Sequence, residues 1–313
     1  MTTTPSTQRL NVHIRPQPPV LDSIQLQDIQ LPLPTGPDAW HRPGKPQPCR
    51  VSLKLSYSSA TAAAAADDVS LSLDYGKLYR RLEGDIRSGH SHALGHGNSN
   101  SSSSRSGGDT GSGEDVRVTA GIVAGCGLGL LDETAAGVRR MSHSQGEHET
   151  AATAAQAPID ASYGQCEVWL HLPKAILRAD DGLTYRSLTV WGYRQDDEGY
   201  GERCPVVLEE EFRVDGIRCY CILGVNSHER VEKQAVVVSL QFRGPGQLAW
   251  GSAVVDTYQE MTRVVAEVFF FRFLPFFFLL ARLIRAAGRR YCLPDGGGPG
   301  HLYCSRGHGG LCQ

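Results

Sequence analysis

Apolar and polar residues alternate with a period of two along several stretches of this chain. In residues 49–56 the apolar positions Cys49, Val51, Leu53 and Leu55 alternate with polar ones. Such a period places successive side chains on opposite faces of a β-strand, with one face buried and the other solvated. The same pattern over shorter runs predicts further strands near residues 24–31, 167–172, 188–191 and 217–221.

Two other stretches place apolar residues three or four positions apart, which is the spacing of one helix face. The first follows Asp74, whose side chain can cap a helix, and consists of Tyr75, Leu78, Tyr79, Leu82 and Ile86. The second follows Asp256 in the same way and consists of Tyr258, Met261, Val265 and Val268. Between them, an Ala- and Gly-rich apolar stretch over residues 116–138 is also expected to be ordered.

The chain also repeats itself. Residues 47–55 align without gaps on residues 234–242, sharing Gln, Val, Ser and Leu and keeping the apolar alternation in phase. Upstream, Ile29 and Ile217 begin comparable strands at nearly the same distance from the shared glutamine. We therefore predict two copies of a strand–turn–strand–helix unit.

Low-complexity segments divide the chain, because they cannot bury enough apolar surface to fold. We expect a disordered leader over residues 1–22 and a first domain over 23–200 that contains disordered inserts at about 88–115 and 141–158. A partial second domain would span residues 206–268. Residues 269–313 form an anomalous tail that is first apolar and then rich in Gly, Cys and Arg.

The tail carries a Phe-rich segment that Arg272 and Pro275 interrupt. The uninterrupted part is shorter than the roughly 20 residues needed to span a bilayer. A central arginine would add about 2.5–3.5 kcal/mol to the cost of insertion. We therefore expect no membrane partner. We also expect that residues from about 269 onward are not the native continuation of the second repeat.

Composition limits the other classes of partner. The formal net charge of −2 gives no basic footprint for nucleic acid. The nine cysteines are odd in number and no secretory signal opens the chain, which predicts a reducing cytoplasmic location with free thiols. Cys219 and Cys221 are too close in sequence for ordinary zinc-pair spacing, so no metal site is expected.

The chemistry-bearing residues are weak candidates when taken alone. Glu229 in its loop would pass as a solvated carboxylate, and Lys174 at a strand end would pass as a surface lysine. Their setting is more specific. The stretch 222–240 reads as an apolar strand, Gly-Val, Glu229, Gln234 and then an alternating strand. The chain also contains an acidic turn over 65–69, a helix start over 73–78 and the late segment His171-Leu-Pro-Lys174.

In their order along the chain, these motifs resemble those of the dihydroneopterin aldolase family. The resemblance covers roughly residues 24–268 apart from the two inserts. It implies an α+β tunnelling fold, an antiparallel sheet backed by two helices, here as a tandem repeat with a truncated second unit of the fungal type. It also implies a homo-oligomer with active sites between neighbouring units. The implied reaction is retro-aldol cleavage of 7,8-dihydroneopterin, a pterin, to 6-hydroxymethyl-7,8-dihydropterin and glycolaldehyde in folate biosynthesis. Side-chain epimerisation is a second possible activity, and no cofactor or metal is implied.

The resemblance also implies a set of site residues. Lys174 would transfer the proton, Tyr75 would act across an interface between units, and Glu229 would contact the reacting side chain. Asp132 falls where the family has a pterin-anchoring glutamate, and Gln234 would shape the substrate-binding hairpin. A carboxylate suits the amino-pyrimidine edge of a pterin, because its two oxygens accept from two neighbouring N–H donors.

The two repeats depart from the family pattern in different ways. The first has Arg42 where the second has Glu229, and the second ends before it could supply a lysine of its own. One reading is a shared site that combines Glu229 with Lys174 and Tyr75. The other is a catalytically impaired pterin-binding or assembly subunit that keeps the fold.

Overall fold

The computed structural model describes most of the region in which the sequence predicts order. The described ranges are residues 12–31, 39–40, 47–58, 67, 72–95, 116–144, 163–196, 199–222, 226–246, 254 and 257–266. Side chains are described through residue 86 in the first helix and through residue 137 in the second.

Seven strands and three helices make up the described elements. In chain order they are β1 (Val12–Ile14), β2 (Leu21–Leu31), β3 (Cys49–Ser58), α1 (Tyr75–Gly95), α2 (Val116–Ser144), β4 (Gly164–Leu172), β5 (Leu183–Asp196), β6 (Gly199–Cys221), β7 (Gln234–Pro245) and α3 (residues 257–266). A short 3₁₀ turn, His228–Arg230, lies between β6 and β7.

The strands form one antiparallel sheet in the order β2-β3-β4-β5-β6-β7. The two long helices are inserted between β3 and β4, so the elements from β2 to β5 run strand, strand, helix, helix, strand, strand. β1 pairs with β5 at residues 192–194, beyond the point where β4 begins its pairing with Val190. The fold class is therefore α+β, as predicted.

One face of the sheet and the helices share a single hydrophobic core. The alternation seen in the sequence is confirmed, since Val51, Leu53 and Leu55 of β3 are fully buried and Arg50 is exposed. Each fully buried aliphatic side chain of this kind contributes about 1.5–3 kcal/mol relative to exposure. The helical face of α1 is confirmed in part, because Leu78 and Leu82 are fully buried.

The start of α1 is capped as predicted. The Asp74 carboxylate accepts hydrogen bonds from the backbone N–H groups of Gly76 at 2.7 Å and Lys77 at 3.2 Å, which are first-turn donors with no helical partner. Tyr75 and Tyr79 differ from the expected helix face. They are 70% and 42% exposed, so the buried face of this helix is formed by Leu78, Leu82 and Ile86.

The Ala- and Gly-rich stretch folds as α2, the central helix of the core. A Cβ at Gly127 would lie 3.2 Å from Cys166 Sγ of β4, so the small residue lets the helix approach the sheet closely. Residues Val116–Gly137 are long and apolar enough to cross a membrane by composition, yet 56% of that stretch is buried inside the protein. The apolar composition of α2 is accounted for by its burial against β3, β4 and β5.

A buried ion pair joins the beginning of α2 to the sheet. Arg117 donates to the two carboxylate oxygens of Glu210 at 2.6 and 3.0 Å, and the Tyr185 hydroxyl donates to the same carboxylate at 2.8 Å. Glu210 is 1% exposed. Burial and the neighbouring Glu210 carboxylate raise the pKa of Tyr185, so its hydroxyl stays protonated and remains a donor.

The opposite face of the sheet carries no described helix and is lined by charges instead. Arg186 of β5 contacts Glu167 of β4 and Glu209 of β6, and Arg243 of β7 donates to Glu209 at 2.8 Å. The hydrogen bond from Arg243 is the main cause that lowers the pKa of Glu209. These ion pairs between neighbouring strands account for the polar residues that alternate with the buried ones.

Four predicted boundaries are corrected. The expected leader, residues 1–22, contains β1 and the start of β2, because β5 extends past β4 and offers β1 free backbone groups. The predicted starts of the two inserts, at about residues 88 and 141, fall inside α1 and α2, which continue through Gly95 and Ser144. The predicted border between the two domains, residues 201–205, falls inside β6, which runs without a break from Gly199 to Cys221. Residues 96–115, 145–162 and 267–313 lie outside the described part of the chain.

The buried ion pair generates a stability prediction. Replacing Glu210 by Ala leaves the Arg117 guanidinium, 20% exposed, without its carboxylate, which typically costs about 3–5 kcal/mol. Glu211→Ala is the matched control, because this neighbour lies on the charged face and accepts a hydrogen bond from Gln241, so its loss should cost under about 1 kcal/mol. Urea unfolding of both variants measures the difference, and equal losses would contradict the role assigned to Glu210.

Candidate functional site

The connection between β4 and β5, residues 173–182, presents Lys174 to solvent. The residues that follow it are anchored, because Ala175 is fully buried and Ile176 is 5% exposed. The Ala175 N–H donates to Leu172 O at 3.3 Å, which closes a tight turn around the lysine. Lys174 is therefore an exposed ammonium on a backbone that its neighbours hold in place.

Two glycines allow this connection to fold back on β6. Gly182 has a φ of +65°, and a Cβ there would lie 2.3 Å from Leu172 O. Gly216 of β6 has a φ of +77° and faces Asp180 of the connection. The β6–β7 pairing has a bulge between Val214 and Ile217. The Asp180 N–H donates to Gly216 O at 3.1 Å, so the connection docks on β6 at this bulge.

Further contacts tie the connection to three other parts of the fold. The Asp180 carboxylate accepts from Arg218 Nε at 2.6 Å, and Ala179 forms a bridge with Ile217. The Ala39 N–H, from the link between β2 and β3, donates to Lys174 O at 3.1 Å. Gln259 of α3 donates to Ala175 O at 3.3 Å.

Glu229 lies in the 3₁₀ turn at the tip of the β6–β7 hairpin, at the same end of the sheet as Lys174. Its carboxylate accepts from the Asn226 side-chain amide at 2.9 Å and from the Asn226 N–H at 3.3 Å. Gln234 donates to Glu229 O at 3.1 Å. This bond agrees with the predicted part of Gln234 in shaping the hairpin, and its part in binding substrate stays a prediction.

Glu229 and Lys174 lie at this end of the sheet but are set apart along it. β6 continues from Ile217, where the lysine connection docks, to Cys221 before the hairpin turns. Four residue steps along a strand cover about 13 Å. Hydrogen bonds from Asn226 and Gln234 tie Glu229 to its own hairpin.

Tyr75 lies at the other end of the same sheet. α1 and α2 are antiparallel neighbours, with Arg81 contacting Glu133 and the Cys126 thiol bonding Asp85 at 3.1 Å. The late part of α2 packs where β4 begins, since a Cβ on Gly164 would meet Leu131 at 2.7 Å. Tyr75, at the start of α1, is therefore separated from Lys174 by the length of β4.

That separation decides which residues one chain can bring together. β4 has nine residues, which span about 30 Å at 3.3 Å per residue. Lys174 and Tyr75 of one chain cannot contact one molecule of pterin size across this distance. Tyr75 is 70% exposed in the described part of the chain, so most of its side chain is accessible to a second copy.

Asp132 also lies at the end of the sheet that carries Tyr75. Its carboxylate forms an ion pair with Arg203 of β6, and the Arg203 guanidinium lies 4.2 Å from the ring centre of Trp191. The predicted pterin-anchoring residue is thus engaged in joining α2 to the sheet and stands away from Lys174.

The titratable groups next to the lysine connection are shifted by burial. Burial and then the neighbouring Arg50 lower the pKa of His171, three residues before Lys174. Burial raises the pKa of Cys49 to about 12, so this thiol stays protonated and poorly nucleophilic. Within the described ranges, no group of three or more His, Cys, Asp or Glu side chains could hold a metal ion.

Comparisons with known proteins do not assign a family. No protein-family model and no curated protein matches the chain. Among solved structures, urate oxidase from Bacillus sp. TB-90 in the absence of chloride is similar with a TM-score of 0.33 and 8% identity, over 86% of this chain and 83% of that chain. A highly active mutant of the same urate oxidase gives a TM-score of 0.32 and 9% identity, over 86% and 85%. Similarity this low assigns neither a fold family nor an activity.

The structure adds a neighbour of Lys174 that the sequence did not single out. Trp40 follows directly on Ala39, the residue that bonds Lys174, and it is 54% exposed. The only signal in the sequence was a lone aromatic residue in a segment rich in turn formers, residues 34–47.

The turn geometry generates a prediction about the lysine connection. Gly182→Ala should destabilise the protein by more than about 1 kcal/mol, because Ala at positive φ is strained and its Cβ would clash with Leu172 O. Gly121→Ala is the control, since this α2 glycine has open space around it, and Ala should stabilise the helix by about 0.5–1 kcal/mol. Thermal unfolding compares the two, and a neutral Gly182→Ala would contradict the described turn.

Proposed function

We propose that this chain is a dihydroneopterin aldolase, a carbon–carbon lyase that cleaves 7,8-dihydroneopterin in folate synthesis. The observation that carries the proposal is Lys174, an exposed lysine that the β4–β5 connection holds at the end of the sheet. This connection belongs to the second of two hairpins that flank two helices, which is the order expected of one tunnelling-fold unit, the finer fold assignment that we also propose.

A shared irregularity supports the proposed tandem repeat. The β2–β3 pairing shifts register between Leu26 and Ile29, and the β6–β7 pairing shifts between Val214 and Ile217. In each hairpin the residue just before the isoleucine has a positive φ, 51° at Asp28 and 77° at Gly216. Bulges are specific local features. Their equivalent placement favours a common unit over two unrelated hairpins.

The proposed reaction needs proton transfer at two places. The side-chain hydroxyl next to the breaking carbon–carbon bond loses a proton as glycolaldehyde leaves, and the bond electrons move into the pterin ring. The carbon left on the ring then gains a proton, which yields 6-hydroxymethyl-7,8-dihydropterin. Lys174 suits one or both transfers, because a positioned general acid or base contributes about 10²–10⁴-fold.

Tyr75 is the second protic group of the proposed site, and it would come from another copy of the chain. Lys174 and Tyr75 lie at opposite ends of one sheet, while Tyr75 is 70% exposed. We therefore propose a homo-oligomer in which the α1 start of one subunit meets the lysine connection of another. Symmetric assembly places such a contact at every equivalent interface.

One observation favours the rival function, a pterin-binding or assembly subunit without turnover. Asp132 is paired with Arg203 and stands away from Lys174, so it does not supply a ring-anchoring carboxylate to the lysine of its own chain. If Glu229 of the hairpin does not substitute for it, binding or assembly would remain without catalysis.

The activity prediction uses purified protein and 7,8-dihydroneopterin, with glycolaldehyde as the measured product. Lys174→Ala should lower kcat by about 10²–10⁴-fold, because it removes the group that moves the proton. Arg178→Ala, an exposed cation on the same connection, should leave kcat unchanged.

Two results would count against the proposal in different ways. If the unaltered protein forms no glycolaldehyde but binds the pterin, the rival function holds. If cleavage occurs and Lys174→Ala retains full kcat, the activity stands and the lysine assignment is wrong.

A further inference from the structure

The link between β2 and β3 reaches the lysine connection through one backbone hydrogen bond. The Ala39 N–H donates to Lys174 O at 3.1 Å. Trp40 is the next residue, and consecutive Cα atoms are about 3.8 Å apart. The backbone of Trp40 therefore lies beside that of Lys174, although the two residues are far apart in sequence.

Trp40 is 54% exposed although tryptophan is among the side chains that gain most from burial. A buried tryptophan removes about 150–250 Å² from water, so roughly half of that area stays accessible here. The lysine connection next to it is fixed by buried Ala175 and by the bond from Gln259. Trp40, with a half-exposed aromatic side chain, thus follows a residue whose backbone bonds that of Lys174, whose own side chain is exposed.

The other large exposed aromatic side chains do not share this position. Tyr75 and Tyr79 lie near the start of α1, at the far end of the sheet, and are 70% and 42% exposed. Tyr220, 57% exposed, lies on β6 within the hairpin that carries Glu229. Among the described residues, Trp40 is the exposed aromatic residue whose neighbour bonds directly to the residue proposed to move the proton.

We propose that Trp40 is a substrate-binding residue, the surface on which the flat bicyclic ring of a pterin stacks beside Lys174. This inference rests on the proposed function. Ligand sites combine apolar and aromatic walls with a few polar groups that fix orientation. A heterocyclic base that stacks on an aromatic side chain typically gains about 1–3 kcal/mol, equivalent to roughly 5–150-fold in Kd.

With the pterin ring stacked on Trp40, substrate binding and the chemical step depend on different residues. Trp40 belongs to the same chain as Lys174, so the ring is held without a second copy. The group supplied by Tyr75 of another copy is needed only for the chemical step. Changes at Trp40 therefore act on pterin affinity.

Isothermal titration with neopterin, the oxidised counterpart of the substrate, tests this assignment on the full chain. Trp40→Ala should raise Kd at least about 10-fold, and Trp40→Phe should raise it by less because a smaller ring remains. Leu177→Ala is the matched control, since Leu177 is an apolar side chain 59% exposed on the same connection, and its Kd should stay within about 2-fold of the unaltered protein.

The outcomes distinguish this inference from the proposed function. Neopterin binding that is unchanged in Trp40→Ala and Trp40→Phe overturns the stacking role and leaves the proposed function intact. Absence of neopterin binding by the unaltered protein overturns both. If Trp40→Ala does not fold, Trp40→Phe decides alone. A smaller oligomer for Trp40→Phe on size-exclusion chromatography would identify Trp40 as a subunit contact and overturn the inference.

Discussion

Antiparallel pairing of every strand with its neighbour is the constraint from which the rest of this structure follows. Because each strand reverses the one before it, the links β2–β3, β4–β5 and β6–β7 all lie at one end of the sheet. The link from β3 into α1 lies at the other end. The apolar face that α2 covers fixes this arrangement, since a slip of one residue would turn the buried positions toward solvent.

This constraint sorts the candidate residues into two groups. Lys174, Trp40 and Glu229 lie at the end that gathers the three links, and the connection carrying Lys174 is held by Gly182 and by the bulge in β6. Tyr75 and Asp132 lie at the opposite end, about the length of β4 away. A site that uses both groups has to be built from more than one copy of the chain.

The sequence predicted the parts of the fold that local chemistry decides. The period-two strands, the Asp74 cap and the buried face of α1 follow from side-chain direction and from backbone donors that need partners. It could not predict β1, which is a strand only because β5 extends past β4. Nor could it predict that Ala39 meets Lys174, since that bond depends on two links converging after the sheet has formed. The resemblance supplied Lys174 and Tyr75 as candidates, and only the topology showed that they lie far apart.

The central claim is that each site combines Lys174 of one copy with Tyr75 of another, and subunit complementation tests it most directly. Lys174→Ala and Tyr75→Phe chains, carrying different affinity tags, are co-expressed, and hetero-oligomers are isolated through both tags. Each variant alone should be nearly inactive toward 7,8-dihydroneopterin. The mixed oligomer should recover about a quarter to a half of the unaltered activity, because one of the two sites of a mixed dimer receives both intact side chains and the share falls toward a quarter in larger rings. A mixed oligomer as inactive as its parents would contradict the shared site.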